Sequence, residues 1–71
     1  MGIKKELIHD MHLSKVRIRI ALKEARYKIS EYRKTGYISF LTDAISWLII
    51  AIREAERLQA VEEWYEWIKS K

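Results

Sequence analysis

The sequence predicts an all-α fold: an antiparallel two-helix hairpin that dimerises into a four-helix bundle. Three observations carry this expectation. Apolar residues recur at steps of three and four along nearly the whole chain, the spacing of a helical face. There is no proline, and the one glycine away from the N-terminus, Gly36, stands at the middle of 71 residues. The second half also carries more apolar surface than one neighbouring helix covers.

Helix 1 is expected over about residues 3–34. Leu7, Met11, Ser14, Ile18, Ala21, Leu22, Ala25, Ile29 and Tyr32 fall on one face of it. Ser14 offers a start for a fresh helix after a short first one. However, Arg17 at its i+3 position makes no capping box, so one continuous helix is the reading. Gly36 follows Arg33 and Lys34, whose charges suit the carbonyl end of a helix, and it suits the left-handed position beyond that end. Residues 35–37 are therefore the turn, and a short turn makes its two helices antiparallel neighbours.

Helix 2 is expected over about residues 38–69, capped by Ser39 or Thr42, with Asp43 in its first turn. Its apolar steps run through Leu41, Ile45, Leu48, Ile52, Ala55, Leu58, Val61, Tyr65 and Ile68. At about 100° per residue, Leu41, Ala44, Ile45, Leu48, Ala51, Ile52 and Ala55 form one stripe, and Phe40, Trp47 and Ile49 widen the arc to roughly 200°, twice what a single core contact needs. Folding at Gly36 sets opposite one another residues whose numbers add to about 72, as antiparallel neighbours require. Tyr32 then meets Leu41, Ile29 meets Ala44 and Ile45, Ala25 meets Leu48, Ile18 meets Ala55, and Met11 meets Val61. Glu62, Glu63 and Glu66 come alongside Lys4 and Lys5.

Composition explains why a partner is expected. A single domain of 71 residues rarely reaches more than about 3–5 kcal/mol from its own core, so small chains usually add a staple. With no cysteine there is no disulfide, and only His9 and His12 offer nitrogen to a metal. Oligomerisation is the staple that remains. Few amides, eleven isoleucines and 34% charged residues fit a protein from a hot environment. The N-terminal stretch has charges where a signal peptide has its apolar core. The apolar run at 38–52 is also short of the roughly 20 residues that span a bilayer. A cytoplasmic protein with no membrane contact is expected.

The net charge of +4 is unevenly placed. Residues 1–36 hold ten Lys and Arg against four Asp and Glu, and residues 37–71 hold four against six. On helix 1, Lys5, His12, Lys15, Arg19, Lys23, Arg26 and Arg33 gather on one flank, while Glu6, Glu24 and Glu31 take the other. Such a ridge suits a phosphate backbone, with affinity that falls steeply with salt. It equally suits ion pairs across a dimer. No aromatic stacking platform interrupts it, which disfavours single strands.

Catalytic chemistry has little to draw on. There is no cysteine nucleophile and no glycine-rich phosphate loop, and Ser14 is the one serine within reach of a histidine. Glu6 and His9 make a Glu-x-x-His pair like those of di-iron bundles, but they lie far around helix 1 from its apolar stripe. No catalytic residue, metal, cofactor or small-molecule substrate is expected. The candidate interface is a second apolar stripe on helix 1, Leu13, Val16, Ile20 and Tyr27, with Phe40, Trp47 and Ile49 of helix 2 and the terminal pair Trp64 and Trp67.

Gly36-Tyr37 between two apolar helices resembles the hairpins of tetratricopeptide-like and HEPN-like modules. The likeness is generic. There is no second tetratricopeptide repeat, and both histidines precede every arginine, the reverse of the HEPN nuclease motif. The functional expectation is a non-catalytic interaction or adaptor module, acting as a homodimer or docked on a larger protein. The alternative is a protein that binds DNA or structured RNA through Lys15, Arg19, Lys23, Arg26 and Arg33.

Overall fold

A computed structural model describes residues 2–70; Met1 and Lys71, the ends of the expected 1–71 domain, lie outside the described residues. Two helices account for nearly all of it: α1, Ile3–Thr35, and α2, Ile38–Lys69. They fold against each other as a hairpin measuring 54 × 16 × 12 Å, two helices wide and one helix thick. Helix α1 runs unbroken through Ser14.

The turn is two residues long. Gly36 has φ 74° and ψ 5°, a left-handed conformation that costs other L-residues about 1–2 kcal/mol. Its N–H donates to the Tyr32 carbonyl at 2.7 Å. The Thr35 hydroxyl donates to the Glu31 carbonyl at 2.9 Å and accepts the Tyr37 N–H at 3.2 Å, so one side chain ties the end of α1 to the start of α2. Tyr37 precedes the first turn of α2, with no side-chain cap. The expected caps Ser39 and Thr42 lie inside the helix instead, where the Thr42 hydroxyl donates to the Ser39 carbonyl at 3.0 Å. The first turn of α2 contains no acid. Asp43 stands just beyond it and meets Lys28 of α1 at 3.6 Å.

Small residues make the seam between the helices. Leu7, Ser14, Ala21 and Ala25 of α1 and Ala44 and Ala51 of α2 are the buried positions. Half-buried Met11, Ile18, Lys28 and Tyr32 complete the α1 side, and Phe40, Trp47, Glu54, Leu58, Val61, Tyr65 and Ile68 complete the α2 side. On both helices these positions repeat every seven residues, in two interleaved series. A sustained seven-residue seam winds two helices around each other in a left-handed sense. In this register Ala21 faces Ala51, Ala25 faces Trp47, and Ser14 faces Leu58, so small residues meet each other or a large one across the seam.

The antiparallel register is the expected one, and Ala44 and Ala51 of the expected α2 stripe are buried, but the rest of that stripe is rotated away from α1. Ile45, Leu48, Ile52 and Ala55, expected against α1, are exposed. Size decides this: backbones approach closely only where side chains are small, so Ala44 and Ala51 turn inward and the isoleucines are left outside. The seam is completed by polar residues with long stems. Glu54, with its side chain 18% exposed, reaches Arg17 at 3.5 Å. The Lys28 ammonium lies 5.6 Å from the Phe40 ring centroid as well as beside Asp43.

Ser14 is 1% exposed, and its hydroxyl has no hydrogen-bond partner. A buried, unpaired polar group costs about 1–3 kcal/mol, whereas the small size of serine is what the seam requires. Replacing Ser14→Ala keeps the size and removes the hydroxyl. The variant is expected to unfold at higher urea concentration than the parent, by up to about 2 kcal/mol in free energy. A destabilised Ser14→Ala would show that the hydroxyl has a partner after all.

Candidate interaction faces

A two-helix slab has two broad faces, and the ion pairs tell them apart. Arg17 and Asp43 each immediately precede a seam residue, Ile18 and Ala44, and each pairs across the seam, with Glu54 and with Lys28. In antiparallel heptad pairs the positions preceding this series on both helices share one face. That face also carries Asp10, Glu24, Glu31 and Arg57, with Ile50 and Trp64 as its exposed apolar members, so it holds most of the charge near the seam.

The opposite face is apolar. Heptad geometry places Leu22 and Ile29 of α1 there beside Leu41, Leu48 and Ala55 of α2, with Ile38, Ile45 and Ile52 along the outer edge of α2. Ile45 is 50% exposed and Ile52 58%. The apolar run spans residues 38–55 of α2, about 26 Å at 1.5 Å per residue. Nearer the open end of the hairpin the same face turns polar, with Lys15, Gln59, Glu62 and Glu66. A shallow groove of about 390 Å³ opens there, lined by Met11, Glu62, Tyr65 and Glu66.

The interface residues expected from sequence do not form one surface. Leu13, Ile20 and Tyr27 share a row on the outer side of α1, bordering the polar face; Leu13 is half-buried and the other two are exposed. Val16 is half-buried on the side of α1 away from α2. Phe40 and Trp47 are half-buried in the seam, where they pack within the hairpin itself. Phe40 also stacks on Tyr37, with ring centroids 6.4 Å apart. Ile49 is exposed on the back of α2. Trp64 and Trp67 stack on each other at 4.9 Å, near the open end on the polar side. Their adjacency follows from the i, i+3 spacing.

Sequence reasoning placed Ile45, Leu48 and Ile52 in the core of the hairpin and so missed them as a free surface. The signal that finds them is the seven-residue recurrence of alanine and serine, which marks the inside by size.

The five basic candidates, Lys15, Arg19, Lys23, Arg26 and Arg33, are all exposed on the expected flank of α1. Among the described residues, the ion pairs employ Arg17 and Lys28, neither of which belongs to this ridge. Arg19, Arg26 and Arg33 repeat at seven residues and so form a straight row of about 21 Å along the border of the apolar face. Glu6, His9 and His12 are also exposed, and among the described residues no group of three acids or histidines converges on a metal-sized space. No helix is long and apolar enough to cross a membrane, among the described residues.

The chain matches no protein-family model, and no curated protein and no solved structure is significantly similar to it.

Proposed function

We propose that this protein is a non-catalytic interaction module whose working surface is the apolar broad face of the hairpin. One observation supports this above the others. Among the described residues the largest fully buried side chain is Ser14, while eight isoleucines stand exposed along the two helices, five of them on α2. A chain that buries four of its six alanines and leaves most of its isoleucines outside has built a surface rather than a core.

Magnitudes support the reading. The apolar run, about 26 Å long on a slab 16 Å wide, covers roughly 400 Å², the size at which an exposed patch marks an interaction site. Covering it is worth about 10 kcal/mol per side before the costs of association. The occupant is a second copy of the chain or a helical surface on a larger protein. Cells producing the chain are expected to yield it in particles heavier than its own 8.6 kDa. The double substitution Ile45→Lys/Ile52→Lys is expected to return it to that mass with its helix content kept. A parent chain that runs at 8.6 kDa both purified and in the cell extract contradicts the proposal.

The free ridge favours a second reading, binding to duplex DNA or structured RNA. Lys15, Arg19, Lys23, Arg26 and Arg33 all remain exposed and outside the ion pairs among the described residues. On this reading affinity falls steeply as salt rises, and Arg19→Glu/Lys23→Glu/Arg26→Glu abolishes it. Absent binding at low salt, or unchanged binding by the triple variant, eliminates the reading.

A further inference from the structure

Resting on the interaction reading, we propose that the apolar face is covered by a second copy of this chain. The twofold axis runs parallel to the long axis of the hairpin. Each α1 then lies on the partner's α2, and the two turns sit at the same end. The occupant is argued from area and the orientation from charge.

A folded monomer of 8.6 kDa ordinarily exposes about 4,700 Å², whereas this chain exposes 5630 Å². The excess, roughly 900 Å², matches the roughly 800 Å² that each partner contributes to a stable protein–protein interface. A full-length overlay of two such slabs, 54 Å by 16 Å, has a footprint of the same size. A copy of the same length is thus a partner that fits the whole face.

Two twofold axes lie in the plane of that face. An axis across the hairpin stacks each α1 antiparallel on the partner's α1, so that Arg19 meets its own copy, Arg26 meets His12 and Arg33 meets Lys5 in a full-length overlay. That juxtaposes basic side chains along the whole border. An axis along the hairpin sets the same basic border against the outer edge of the partner's α2. There the long arginine stems cover the edges of Ile38, Ile45 and Ile52, and their charged ends stay in water. Toward the open end, Lys5 and Glu66 stand at nearly equal distances from the turn, about 46 and 45 Å, on opposite borders of the slab. The lengthwise axis brings Lys5 of one protomer beside Glu66 of the other. Every pair of adjacent helices is then antiparallel, so their dipoles oppose as in up-down four-helix bundles.

The absence of native cysteine makes a direct test simple. Tyr37→Cys at the turn and Lys69→Cys at the open end are each spin-labelled, and the distance between equivalent labels is measured beside the solution mass. A particle of twice 8.6 kDa with roughly 20 Å between labels at both sites is expected, since adjacent helix axes lie about 8–10 Å apart. Lys5→Glu should weaken association about fivefold, and adding Glu66→Lys to the same chain should restore it. That pair keeps the test decisive if a labelled variant fails to fold. A dimer with widely separated labels, or no rescue by the swapped charge, overturns the proposal. So does a purified monomer at micromolar concentration. If that monomer is nevertheless found in a larger particle in the cell, the interaction module stands and its occupant is another protein.

Discussion

The close approach of the two helix backbones constrains everything else in this molecule. Two long helices joined by a two-residue turn have little interior to fill, so the contact between them depends on how near their axes come. Ser14, Ala21, Ala25, Ala44 and Ala51 hold that distance short. The seven-residue repeat of the seam positions as a whole keeps the contact continuous from the turn toward the open end, because a strict heptad makes the helices coil around one another instead of diverging. Gly36 completes the arrangement by reversing the chain in a left-handed conformation within hydrogen-bonding distance of Tyr32.

A seam of small residues has a direct consequence for the outside. Large aliphatic side chains have no place between the backbones and are displaced to the flanks. One broad face acquires the ion pairs of Arg17 with Glu54 and Lys28 with Asp43. The other acquires Ile38, Ile45 and Ile52, with the basic row of α1 along its far border. Interior and exterior are thus two results of one packing choice. The function proposed for this chain follows from the second of them.

Much of the fold was legible in the sequence, for physical reasons that differ between elements. The two helices and their antiparallel register follow from an uninterrupted helical period and one glycine, and both signals are local. The caps of α2 were not legible in the same way. Ser39 and Thr42 are good capping residues, but the helix begins at Ile38, which leaves both inside it, and Thr35 rather than a cap residue of α2 ties the turn together. The apolar stripe of α2 holds Ala44 and Ala51 together with Ile45, Leu48 and Ile52, and apolarity alone does not say which side of it turns inward; the alanines do, because they are small. Trp47 is a further case: its place at the edge of the apolar arc suggested a partner contact, yet opposite Ala25 there is room for it in the seam. Glu54 and Lys28 show the converse, charged residues at seam positions, each paired across it with a residue of opposite charge. Of the candidate site, the basic row was read correctly as a flank, since it depends only on the helical wheel. The apolar docking face depended on knowing which side the partner helix takes.

The most direct test of this account is the stability of Ala21→Leu in urea, measured against the parent at the same protein concentration. Ala21 is 1% exposed and faces Ala51, so the added bulk has nowhere to go without separating the backbones. The account predicts a loss of about 1–3 kcal/mol, as for other over-packed interiors. An Ala21→Leu variant as stable as the parent, or more so, would contradict it, because a seam that welcomes leucine is not one held close by small residues.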